Sequence, residues 1–152
     1  VTRFIFIIAL LASSCLSAAR AQPIDAADAA RAHARAIAAA RNGDYAEATP
    51  ILEALHDAEP QNSNYLNDLA ATYAWAERDR DALALLPDLR LESVPDYVLS
   101  AIAKAARNVR DYDTATTWYR TAVERNSNNL DAHVGLALSL ADAQRYAEAA
   151  AV

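Results

Sequence analysis

The stretch Tyr112–Asn129, YDTATTWYRTAVERNSNN, decides the reading of the whole chain. A tyrosine-led turn opens it, then Ala115, Tyr119 and Ala122 fall on one face at helical spacing, and a polar run stops it. The same arrangement occurs at Tyr45–Asn62 (YAEATPILEALHDAEPQN) and starts again at Tyr146–Ala149 (YAEA). The early alanine of each copy, Ala48, Ala82, Ala115 and Ala149, recurs at intervals of 34, 33 and 34 residues. A period of about 34 residues holding two helices is the signature of stacked helix–turn–helix repeats. The expected fold class is all-α, a solenoid of about 3.5 repeats, and such a surface holds partners rather than performing chemistry.

Composition agrees. Apolar residues make up 54% of the 152-residue chain and there are only two glycines, which suits close-packed helices because alanine has the highest helix propensity. The formal charge is −6. Arg3 and Arg20 lie in the leader described next, so the rest carries 12 basic against 20 acidic residues. Phosphate binding needs the opposite sign, and a nucleic-acid partner is not expected.

Arg3, the apolar run Phe4–Leu11 and the small-residue ending Ala19-Arg20-Ala21 read as a signal peptide over residues 1–21. The expected cleavage follows Ala21, with Ala19 and Ala21 as the recognition pair. The run is too short to remain as a membrane anchor. Ala12-Ser13-Ser14-Cys15 resembles a bacterial lipobox, so lipid attachment at Cys15 competes with its removal in the leader. In the latter case the exported chain has no cysteine and no disulfide.

The array then occupies residues 22–152, with repeats at about 29–62, 63–95, 96–129 and an incomplete 130–152. Asp25 is placed to cap a helix that runs to Arg41, and Gly43 suits its left-handed end. Pro50 falls inside the next helix and should bend it. In the second repeat Leu66, Leu69, Ala70 and Tyr73 form one face, the turn is Glu77–Asp81, and a short helix follows over Ala82–Leu86. The segment from Pro87 to Pro95 reads as an irregular connector. Leu99, Ile102, Ala103 and Ala106 face inward in the third repeat, as do Leu136, Ala137 and Leu140 in the fourth. Tyr45, Tyr112, Trp118, Tyr119 and Tyr146 are expected in the core. An array ordinarily closes on a polar capping helix, so more chain is expected after Val152.

No catalytic residues, metal ligands or cofactor motif can be assembled, and the chain is not expected to be an enzyme. His33, His56 and His133 are scattered and read as solvent-facing or lightly packed. Glu77, Asp79, Asp81 and Asp88 imitate a calcium loop, but Ala82 replaces the glycine its tight turn needs. They read instead as an acidic helix start. The ligand candidates lie on the first helix of each repeat, which lines the groove of such an array. They are Asn64, Asn67 and Trp75; Tyr97, Ser100, Lys104 and Asn108; and Asp131 with Asp142. Rings beside amides and carboxylates suit carbohydrate or an extended peptide.

The alanine set Ala48, Ala82, Ala115 and Ala149, the tyrosine-led turns and Pro60 closing the first unit resemble the tetratricopeptide repeat (TPR) family over about residues 29–152. Ser127 departs from it, standing where a closing proline is usual. The resemblance implies a right-handed superhelix of helix pairs that holds partner proteins. A narrower likeness rests on Thr72–Leu85 (TYAWAERDRDALAL), AIAKAARNVRDYDTATTWYRTAVERNSNN from Ala101 and Gly135–Ala149 (GLALSLADAQRYAEA). These are similar to the N-terminal periplasmic region of the outer-membrane porins that export poly-β-1,6-N-acetylglucosamine in biofilms. The likeness implies an exported, periplasmic module ahead of a membrane β-barrel. It would bind a polysaccharide deacetylase and guide a partly deacetylated polymer, for which a negative groove is apt. The alternative is a stand-alone periplasmic or lipid-anchored repeat protein that organises an envelope complex.

Overall fold

The computed structural model describes residues 25–152, so the expected leader, its Ala19–Ala21 cleavage site and Cys15 lie outside the described residues. These residues form eight helices and no strand: α1 (Ala26–Arg41), α2 (Tyr45–Ala58), α3 (Ser63–Trp75), α4 (Asp79–Ala84), α5 (Asp96–Asn108), α6 (Tyr112–Arg125), α7 (Leu130–Asp142) and α8 (Tyr146–Ala149). Helix starts are written into the sequence. The carboxylates of Asp25, Asp44 and Asp111 and the amides of Asn62 and Asn129 each accept a backbone N–H from the first turn that follows, satisfying donors that a helix leaves free.

The turn inside each pair is built the same way four times. Gly43, Glu77, Arg110 and Gln144 have positive φ, again 34, 33 and 34 residues apart. At each, the next N–H reaches back to the helix it leaves: Asp44 to the Ala39 carbonyl, Arg78 to Tyr73, Asp111 to Ala106 and Arg145 to Leu140, at 2.8–2.9 Å. A left-handed residue with this bond is how a helix reverses in a short turn. Only the first copy uses glycine.

Each helix packs on the next, and the first helices of successive pairs, α1, α3, α5 and α7, also touch in order. One apolar core runs through the stack from Ala36 to Leu140. Ala48, Ala82, Ala115 and Ala122 are buried at helix crossings and Ala149 is half-buried. The all-helical pairing at this period is consistent with TPR-like repeats.

Three expectations change in detail. The short helix of the second pair is Asp79–Ala84 rather than Ala82–Leu86, because a residue preceding proline is pushed out of helical geometry and Leu86 precedes Pro87. The connector beyond it is irregular, as expected, yet it also enters the core through Leu89 and Val94. Pro50 lies inside α2, as expected; its missing N–H leaves unpaired only the carbonyl of Ala46, an exposed residue. Finally, Trp118 and Tyr119 are buried and Tyr45 and Tyr112 half-buried, whereas Tyr146 is 65% exposed. Among the described residues, α7 is the one helix that packs on α8.

Candidate functional site

The first helices of three successive pairs enclose a cavity of about 510 Å³. From α1 come His33, Ile37, Ala40 and Arg41, from α3 Asn64, Asp68, Thr72 and Trp75, and from α5 Tyr97. Helix geometry explains the α3 set. At about 100° per residue, Asn64, Asp68, Thr72 and Trp75 fall within a stripe roughly 80° wide. The same geometry corrects Asn67, which lies about 60° to the other side of Asn64. Asn67 is buried instead and lines a separate depression with Pro60, Leu66 and Pro87.

Asp68 organises the cavity. Its Oδ2 is 2.7 Å from His33 Nε2, and its Oδ1 accepts the Tyr97 hydroxyl at 2.5 Å. One carboxylate on α3 thus ties α1 to α5. The imidazole of His33 meets the Tyr65 ring edge-on at 4.9 Å. Burial, then the bond to Asp68 and its charge, push the Tyr97 phenol well above its ordinary range, with Arg41 pulling the other way. Tyr97 therefore stays a proton donor to Asp68. Trp75 leans on Tyr97, ring centres 5.9 Å apart and planes 38° apart. The two rings are 39% and 41% exposed.

Two polar groups are left over. Thr72 is wholly buried among the lining residues and its hydroxyl has no hydrogen-bond partner among the described residues. The Arg41 side chain is exposed at the edge and pairs with no acid among them. Thus Asp68 is engaged twice, while the Thr72 hydroxyl is sealed from solvent and Arg41 is open to it.

Of the residues singled out from sequence, Asn64, Trp75 and Tyr97 come together here. Ser100, Lys104, Asn108 and Asp131 do not line this cavity. The Asn108 amide donates to Asp79 at 3.1 Å, and Asp142 accepts from Arg107 at 2.8 Å, so both serve to tie helices. Ser100 is half-buried, and Lys104 and Asp131 are exposed without an ion pair among the described residues. Asp79 and Asp81 open α4, and Asp81 accepts from Arg78. His56 and His133 are half-buried. His33, Ile37, Ala40, Arg41, Asp68 and Thr72 were not anticipated. A signal for Arg41 existed, since it stands 34 residues before Trp75, at the same point of the repeat.

The class of molecule is thus an all-helical stack of helix pairs with a cavity across its first three pairs. No protein-family model matches the chain. The poly-beta-1,6-N-acetyl-D-glucosamine export proteins of Escherichia coli K12 and of Escherichia coli O157:H7 are each 27% identical to it over 85 residues. That stretch is 56% of this chain and 10% of theirs, so the chain matches about a tenth of the length of these curated relatives. Among the described residues no helix is long and apolar enough to cross a membrane.

Proposed function

We propose that the chain is a TPR-type scaffold module, a right-handed superhelical solenoid that works in the periplasm as part of an outer-membrane exporter of poly-β-1,6-N-acetylglucosamine. It holds a partner protein of the envelope, a polysaccharide deacetylase being the one this reading favours, and guides the partly deacetylated polymer. The observation that carries the glycan part is the cavity with half-exposed Trp75 and Tyr97 and the unpaired Arg41 at its edge. Rings that cover a sugar's apolar face beside a few placed polar groups are what such a site needs. The likeness to the two export proteins supports the choice of polymer.

The test is a titration with partly deacetylated polymer while following tryptophan emission. Only Trp75 and Trp118 are present and Trp118 is buried, so a ligand in the cavity moves the Trp75 signal. A saturable change that disappears in Trp75→Ala is expected. No binding at millimolar sugar by a chain of intact helicity would remove the glycan role and leave only a protein scaffold.

A further inference from the structure

The second helix of the second pair, α4, has six residues where α2 and α6 have fourteen. Beyond it, Pro87, Asp88 and Arg90 of the connector stand opposite the start of α3 and leave a depression of about 430 Å³. Asn67 is the one buried polar residue of its lining, at 8% exposure. The Asn67 amide makes no hydrogen bond among the described residues. Unlike the Thr72 hydroxyl, it is not sealed from solvent. A buried amide in that state calls for a partner, and the depression is the way to it.

The surroundings narrow the chemistry of that partner. Asp88 and Arg90 are both exposed, opposite in charge and without an ion pair among the described residues. They offset each other, so the depression favours neither a cation nor an anion. Pro60, Leu66 and Pro87 give it apolar walls, and Gln61 and Ser63 are uncharged. No aromatic ring lines it on which a pyranose could lie. What remains is a neutral group that both donates and accepts. The asparagine amide holds its carbonyl and its N–H donors in one plane, the complement of the N–H and C=O of a peptide group.

We infer that this depression binds an extended peptide segment of a partner protein through its backbone. Asn67 pairs with a peptide group, while Pro60, Leu66 and Pro87 enclose the residues beside it. The inference rests on the scaffold part of the reading above and is independent of the glycan part.

The probe is a neutral capped hexapeptide of alternating alanine and serine, titrated into the isotope-labelled full chain. The Asn67 side-chain amide signal, assigned by its absence in Asn67→Leu, should shift saturably at millimolar peptide. Methylating every peptide nitrogen of the probe removes its donors and should weaken binding about three- to tenfold. Asn67→Leu should weaken it to a similar extent while the melting temperature holds or rises, because the amide lost has no partner within the chain. An Asn67 signal that ignores the peptide would overturn the inference. So would equal binding of the methylated probe, or a shift produced by a β-1,6-linked N-acetylglucosamine trimer in place of the peptide. A polysaccharide deacetylase that binds the chain equally well in Asn67→Leu would overturn it too, and leave the scaffold role standing. Peptide binding at Asn67 without any binding of the deacetylase would support the site and remove that enzyme as the partner.

Discussion

The ring of Tyr119, on α6, lies directly over the backbone of Gly135, on α7, and a Cβ at that position would overlap the ring carbons. Both residues are buried, so the ring has little room to withdraw. Gly135→Ala is therefore a contest between two terms. Alanine gains about 1 kcal/mol of helix propensity over glycine, whereas overpacking a tight core costs about 1–3 kcal/mol. The overlap is with a whole ring, not a flexible tip, so the cost should prevail. We expect Gly135→Ala to lower stability by about 1 kcal/mol in urea melts, and Tyr119→Leu in the same background to relieve part of the loss. A more stable Gly135→Ala protein would mean that Tyr119 packs elsewhere. This glycine lies inside a helix with no positive φ, and nothing in its local sequence signals the ring above it. The lesson extends to Asp68. Its bonds reach His33, 35 residues earlier, and Tyr97, 29 residues later, contacts that only the stacked fold brings together.

At the level of elements, the alternation of helices was open to sequence reading because its signals are local. The cap at Asp25 and the left-handed Gly43 each act within a few residues. The phase of α3 was harder to read, since Asn67 and Asp68 are neighbours and differ only in which way a turn of helix points them. The connector from Pro87 to Pro95 shows what holds a segment without regular structure. Arg125, near the end of α6, donates to the Leu91 carbonyl at 2.6 Å and to the Val94 carbonyl, and Asp96 lies 3.5 Å away. Leu89 and Val94 can then stay in the core. The exposed Asp96 adds little, so the two charge-assisted bonds carry the effect. Arg125→Ala should cost about 1.5–3 kcal/mol, the range of a single such bond, because one of the two is open to water. Arg125→Lys should recover less than half, for an ammonium cannot reproduce the two-pronged geometry. Chemical denaturation would decide; a change of only a few tenths of a kcal/mol in Arg125→Ala would show that the connector is held by its apolar residues alone.

At the scale of the whole molecule, the stack has one face that its own pattern marks as a receiving surface. Leu130, Val134 and Leu138 follow one another at one-turn spacing along α7 and are 76%, 58% and 43% exposed. Counting back by the repeat, Val134 corresponds to Ser100 and Asn67, and Leu138 to Lys104 and Ala71. On α3, which packs on α5 of the next pair, Asn67 and Ala71 are buried, whereas on α5 Ser100 is half-buried and Lys104 exposed. The α7 stripe is thus apolar at positions that are buried on α3, and among the described residues nothing covers it. Tyr146 on α8 is exposed as well. Contiguous apolar surface of this kind favours association, while the net negative charge of the chain opposes it at long range and less so as salt rises. Sedimentation across a concentration series should therefore show self-association that strengthens with added salt. The triple substitution Leu130→Gln, Val134→Gln and Leu138→Gln should abolish it without loss of helicity, since those side chains already face water. A wild-type chain that stays monomeric at high concentration and high salt would show that the stripe is too small or too interrupted to hold a second helix pair.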